Sequence, residues 1–168
     1  MKKVLLLLLV VFYASVNAQE SSKSLQMAGG LRAALPIGSS SNVYSFGVGG
    51  EVQGELMFSE KFAGVGSIGY TAFLGKTINF GGTVGKKKIA TSGMIPILVG
   101  ARAYLSPNFF AGAKVGYTVS AAKGGGGGFT YEPQIGYNGG KVQISVGYNG
   151  IASGGTFSSV GSSILYKF

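Results

Sequence analysis

The 168-residue chain contains no cysteine, histidine, tryptophan or aspartate, and its five acidic residues are all glutamates. Without cysteine there is neither a disulfide nor thiol chemistry. Without histidine, aspartate or cysteine, a nucleophile–base–carboxylate relay or a metal cluster cannot be built in the usual way, so catalysis is not expected. Charge is scarce as well: 11% of residues are ionisable Asp, Glu, Lys or Arg, against about 25% in an ordinary water-soluble domain. Hydrophobic residues reach 46%, yet no apolar run attains the ~20 residues of a spanning helix. The apolar surface must therefore be spread over many short elements. Glycine, at 31 residues, is the abundant counterpart of these absences.

The N-terminus has the pattern of an export signal. Lys2 and Lys3 precede the unbroken apolar stretch Val4 to Tyr13, and Val16-Asn17-Ala18 offers small residues for cleavage before Gln19. Those ten apolar residues are too few to span a bilayer. Residues 1–18 are thus expected to be a signal peptide, and residues 19–168 a single domain. The formal charge of +9 falls to about +7 once the two signal lysines are removed. A basic balance can indicate nucleic acid, but export argues against it. Lipid phosphates are the expected anionic partner.

Period-2 alternation bounded by turn residues recurs along the rest of the chain. It predicts strands at Leu25–Leu35, Val43–Phe58, Phe62–Leu74, Ile89–Leu105, Phe109–Ser120, Phe129–Asn138, Val142–Asn149 and Thr156–Phe168. One face of the second carries Tyr44, Phe46, Val48, Val52, Leu56 and Phe58; one face of the fourth carries Ile95, Ile97, Val99, Ala101, Ala103 and Leu105. With each phase set by its apolar residues, Arg32, Glu51, Glu55, Arg102, Lys114, Glu132 and Lys167 all fall on the opposite face.

A soluble sandwich or barrel would turn the apolar face inward, whereas a membrane barrel turns it outward to lipid. Three features favour the membrane. Tight turns at Ser59–Lys61, Ser106–Asn108 and Asn138–Lys141 alternate with longer links at Pro36–Asn42, Gly75–Lys88, Ala121–Gly128 and Gly150–Gly155. Aromatics cluster at strand ends: Phe58, Phe62, Phe109, Tyr137, Tyr166 and Phe168 at one rim, and Tyr44, Phe46, Tyr117, Phe129 and Tyr131 at the other. The opposite face, rich in Gly, Ser, Thr, Gln, Asn and charge, is too polar for a soluble core. The expected fold is all-β, an eight-stranded antiparallel up-and-down transmembrane β-barrel. Pro96 and Pro133, each removing a ladder hydrogen bond, are expected at bulges or strand limits. Gly124–Gly128 is expected to be a mobile loop.

Gly64-Val65-Gly66-Ser67-Ile68-Gly69 matches a dinucleotide fingerprint, but the following residues alternate as strand and no acidic residue occurs between Glu60 and Glu132. Small residues in a crowded wall explain the match. Gly75-Lys76-Thr77 ends like a phosphate loop, yet Tyr70 occupies the position of its first glycine. No cofactor is expected. Lys76 with Lys86, Lys87 and Lys88 concentrates four positive charges in one link, either simply solvated or in contact with lipopolysaccharide phosphates. Arg32, Arg102 and Lys114 balance Glu51, Glu55 and Glu132 inside the barrel, and buried charges must pair. A salt-bridged plug is expected there, with a charged constriction as the alternative.

Over residues 19–168 the chain resembles the small Gram-negative outer-membrane β-barrels of the porin-like, OmpX/OmpW-like type. The resemblance is carried by the segment Ile95–Tyr104 and by the closing Ile164-Leu165-Tyr166-Lys167-Phe168. It implies a monomer in the outer membrane among lipid and lipopolysaccharide. It also implies insertion by the barrel-assembly machinery after periplasmic chaperones, with Tyr166 and Phe168 as the assembly signal. No active-site residue carries over. The expected role is non-enzymatic, structural or surface-interacting through external loops. A narrow channel for small or hydrophobic solutes and a secreted soluble binder are the alternatives.

Overall fold

Alternation of apolar and polar side chains commits each segment to a strand with two unlike faces, and closing the sheet gives each face a different solvent. The computed structural model describes residues 25–79, 86–122 and 125–168. The expected signal peptide, residues 1–18, lies outside the described residues.

The strands are β1 (Leu25–Ile37), β2 (Tyr44–Met57), β3 (Phe62–Gly75), β4 (Thr77–Asn79), β5 (Lys86–Lys88), β6 (Ser92–Tyr104), β7 (Phe109–Ser120), β8 (Gly127–Asn138), β9 (Val142–Ala152) and β10 (Thr156–Lys167). Eight of them form a closed antiparallel barrel in the order β1-β10-β9-β8-β7-β6-β3-β2. Closure runs from Ala28 opposite Lys167 to Ile37 opposite Ser158, which removes the exposed edges. Tight connections β2–β3, β6–β7 and β8–β9 gather at one end with the C-terminus, here the turn end. The opposite, loop end carries the 3₁₀ turn Gly38–Asn42, the β4–β5 hairpin and the segment before β8.

Burial is the reverse of that in a soluble protein. Leu31, Val99 and Ile135 are 73%, 63% and 66% exposed, whereas Arg102 and Lys114 are 1% and 2% exposed. Only lipid makes such an exterior stable, so the soluble-binder alternative fails. Expected rim aromatics also face outward: Phe58, Phe62, Phe109, Tyr137, Tyr166 and Phe168 at the turn end, and Tyr117, Phe129 and Tyr131 at the loop end.

Neither interior proline produces a bulge. Next to Pro96 the β3–β6 ladder lapses between Ile68–Ile97 and Thr71–Met94 and then resumes in the same register. Pro133 interrupts β8–β9 between Tyr131–Gly150 and Gln134–Gly147 in the same way. On their other sides Pro96 stays opposite Thr118 and Pro133 opposite Ala113. A strand residue directs its N–H to one neighbour only, so proline costs one ladder and leaves the other intact.

All four expected longer links are partly strand, the first because Pro36 and Ile37 end β1. Gly127 and Gly128 open β8; β9 continues to Ala152, leaving the tight turn Ser153–Gly155 with Gly154 at φ 69°; and Lys86–Lys88 pair with Thr77–Asn79. Glycine serves the wall where strands crowd. A Cβ on inward-facing Gly100 would stand 2.0 Å from the Ala113 carbonyl oxygen, and one on Gly49 1.7 Å from that of Tyr70. Gly64, from the fingerprint-like run, lies beneath the Phe58 ring on the lipid side, where an added Cβ would come within 2.7 Å. This run is barrel wall.

The lipid-facing position of Val99 sets a first expectation. Val99→Arg should lower unfolding free energy by ~2–4 kcal/mol near the midplane, while Val99→Ile should stay close to the parent. Urea titration of vesicle-embedded protein, read by heat-modifiable electrophoretic mobility, measures both; equal midpoints would reverse the assigned faces.

Candidate functional site

The lumen holds the densest chemistry in the molecule. The phase that sends Val48 and Val52 to lipid sends Glu51 inward, and the same rule on β1, β7 and β8 delivers Arg32, Lys114 and Glu132. These four side chains close an alternating ring. Arg32 Nη1 donates to Glu51 Oε2 at 3.0 Å, Lys114 Nζ to Glu51 Oε1 at 2.7 Å and to Glu132 Oε1 at 2.9 Å, and Arg32 Nη2 to Glu132 Oε2. Two links join adjacent strands, and the other two, Glu51–Lys114 and Arg32–Glu132, cross the lumen between opposite walls. Neutral partners complete the shell. Ser163 Oγ donates to Glu51 at 3.0 Å, Asn149 Nδ2 to Glu132 at 3.1 Å, and Lys114 Nζ reaches Ser67 Oγ at 3.3 Å.

A second layer lies toward the turn end and includes the remaining charges. Arg102 Nη1 donates to Glu55 Oε2 at 2.5 Å, and its Nη2 donates to Gln53 Oε1 at 2.7 Å. The guanidinium carbon sits 4.2 Å from the centroid of the Phe110 ring, in cation–π range. Glu55 also accepts from the Tyr104 hydroxyl, which accepts from Asn138 Nδ2 at 2.6 Å; Lys167 Nζ closes this end on Asn138 Oδ1 at 2.9 Å. The Gln53 and Gln143 amides meet across the lumen at 3.0 Å. The six expected interior charges therefore form a quartet and a pair in adjacent layers, with equal numbers of each sign.

Sequence reading missed the roles of Tyr104, Asn138, Gln143, Asn149 and Ser163. All lie on the polar phase of their strands, and that phase is the signal that would have found them. Tyr44 is a correction. It was expected at the lipid-facing rim, but β2 and β3 slip register between Tyr44 and Phe46. The extra residue, Ser45, reverses the phase, and Tyr44 packs edge-on to Phe73 and Phe157 with centroids 6.2 and 5.9 Å away. The described ends of the expected basic link are strand rather than loop. Lys88 lies opposite Thr77 and Lys86 opposite Asn79, and Lys76 Nζ donates to the Ser41 carbonyl at 2.6 Å. All four lysines are exposed at the loop end. Tyr166 and Phe168 point outward at the turn end, 52% and 73% exposed.

Buried ion pairs contribute little net stability when complete but are costly to break. Glu132→Gln strips a carboxylate from both Arg32 and Lys114 and should cost about 3–5 kcal/mol. Combining it with Lys114→Met restores neutrality, so the pair should cost less than the sum of the two single changes. Equilibrium unfolding in lipid tests this; strict additivity would dissolve the quartet as a unit.

Compared by sequence, the chain matches no family model and no curated protein. Its structure is similar to solved barrels. Ail, the attachment invasion locus protein of Yersinia pestis, aligns at TM-score 0.58 and 11% identity, over 86% of this chain and 97% of that one. The outer membrane protein OprG from Pseudomonas aeruginosa aligns at 0.51 and 13%, over 86% and 95%. A de novo designed transmembrane β-barrel aligns at 0.52 and 12%, over 89% and 99%. The likeness is one of fold: this chain is an eight-stranded antiparallel up-and-down transmembrane β-barrel of the outer-membrane kind.

Proposed function

We propose that the protein is a non-enzymatic barrel of the Gram-negative outer membrane, closed to ions and acting at the cell surface through its loop end. The observation that carries this reading is the Arg32–Glu51–Lys114–Glu132 ring, which ties opposite walls together across the lumen. An eight-stranded barrel has an interior that side chains can fill, whereas aqueous porins need about 16–18 strands. With the middle of the barrel closed, the accessible chemistry lies at the loop end, which faces outward when short turns face the periplasm. The likeness to Ail, whose name speaks of attachment, supports the surface role; the likeness to a designed barrel shows that the fold alone does not require one.

Export through residues 1–18 and insertion guided by Tyr166 and Phe168 belong to the same proposal. So does contact of Lys76, Lys86, Lys87 and Lys88 with lipopolysaccharide phosphates. The extended β4–β5 hairpin supports that contact by presenting Lys86 and Lys88 on one face.

Planar-bilayer recording decides the central claim. The unmodified monomer should show no steady porin-sized conductance; a stable open current would replace the closed barrel with the narrow channel. A second measurement addresses the lysines. Changing Lys86, Lys87 and Lys88 together to Gln should weaken binding of the nanodisc-held protein to lipopolysaccharide vesicles and flatten its salt dependence. Identical salt curves would leave the lysines as solvating charge only.

A further inference from the structure

The loop end of the lumen is hollow. A cavity of about 520 Å³ opens there, inside the range of roughly 300–1,000 Å³ typical of small-molecule sites. Its wall is built by Tyr44 and Phe157 on one side, Met94, Thr118 and Ile151 deeper down, and Ser120 nearer the mouth. Below it the lumen narrows to a void of about 20 Å³ beside Arg32 and Asn149, room for one water. The cavity is thus a cup with a floor.

Three features give the cup a defined shape. Phe73 and Phe157 pack edge to face with centroids 4.8 Å apart, and Tyr44 joins them only because the Ser45 bulge turns it inward. On the opposite wall the Thr118 and Thr130 hydroxyls bond at 2.7 Å. At the rim, the Ser158 backbone N–H donates to Ser40 Oγ at 2.9 Å, pinning the 3₁₀ turn against β10. None of the described residues lining the cup is charged. A charged guest would lose its hydration without an opposite charge to replace it, whereas aromatic and thioether surfaces reward an apolar ring.

From this we infer that the cup is a binding site for a small neutral molecule with an aromatic body and one hydrogen-bonding group. The inference goes beyond the surface role proposed above and uses the closed lumen only as its floor. The test uses the protein in lipid nanodiscs with labelled Met and Ile methyl groups, titrated with indole and followed by NMR. The Met94 and Ile151 methyls should shift saturably, while lipid-facing Ile135 and Ile144 drift linearly as indole partitions into lipid. Indole-3-acetate, similar in shape but anionic, should bind at least about ten-fold more weakly. Gly126→Trp should fill the mouth, because a Cβ there meets no atom within 4 Å, and should weaken indole binding by at least about ten-fold. Linear drift at Met94 and Ile151, equal affinity for the anion, or undiminished binding by a folded Gly126→Trp barrel would each overturn the site. A conducting barrel with saturable Met94 shifts would remove the seal and keep the cup, so the two readings fail separately.

Discussion

In hydrocarbon, a backbone N–H or C=O without a partner costs several kcal/mol, and a sheet satisfies all of them only by closing on itself. Pairing of β1 with β10 performs that closure, and the remaining architecture follows from it. Closing eight strands makes a narrow cylinder whose inward side chains have nowhere to go but each other. Small residues then become obligatory where walls approach, as at Gly49 and Gly100, whose added Cβ atoms would run into neighbouring carbonyl oxygens. Prolines become tolerable where a single ladder bears their cost, as at Pro96 and Pro133.

The same narrowness lets scarce charge fill the middle of the lumen with ion pairs. A lone Arg or Glu in this lumen would be prohibitive, but three of each sign in two layers neutralise one another. The links Glu51–Lys114 and Arg32–Glu132 span the lumen and so tie its walls together. Among the described lumen-lining residues, charge is confined to the middle and the turn end, which leaves the loop end of the lumen with aromatic rings and hydroxyls around an uncharged hollow. Along one axis the molecule therefore passes from plug to cup to cationic hairpin.

Alternation was legible because lipid and lumen demand opposite chemistry at successive residues, so Val99 outward and Arg102 inward follow from counting. Legibility failed where counting itself is interrupted. The bulge at Ser45 adds one residue to β2 and moves Tyr44 from the lipid rim to the cup. Three-residue strands such as Thr77–Asn79 and Lys86–Lys88 carry too little pattern to be told from loop. The prolines were readable as ladder defects, but not that register survives them, since that depends on which neighbour each missing N–H would have faced.

By itself, the sequence determined the all-β class, the lipid-facing identity of the apolar phase and the inward placement of six balancing charges. Each is a local consequence of a two-residue period. Only tertiary structure decided which charges pair. Lys114 and Glu51 are 63 positions apart, and Arg32 and Glu132 are 100 apart. Their meeting is fixed by strand register and by the closure of β1 on β10, which sum over the whole sheet and leave no local signature. The uncharged cup belongs to the same class, because a cavity is the volume that every surrounding strand fails to fill.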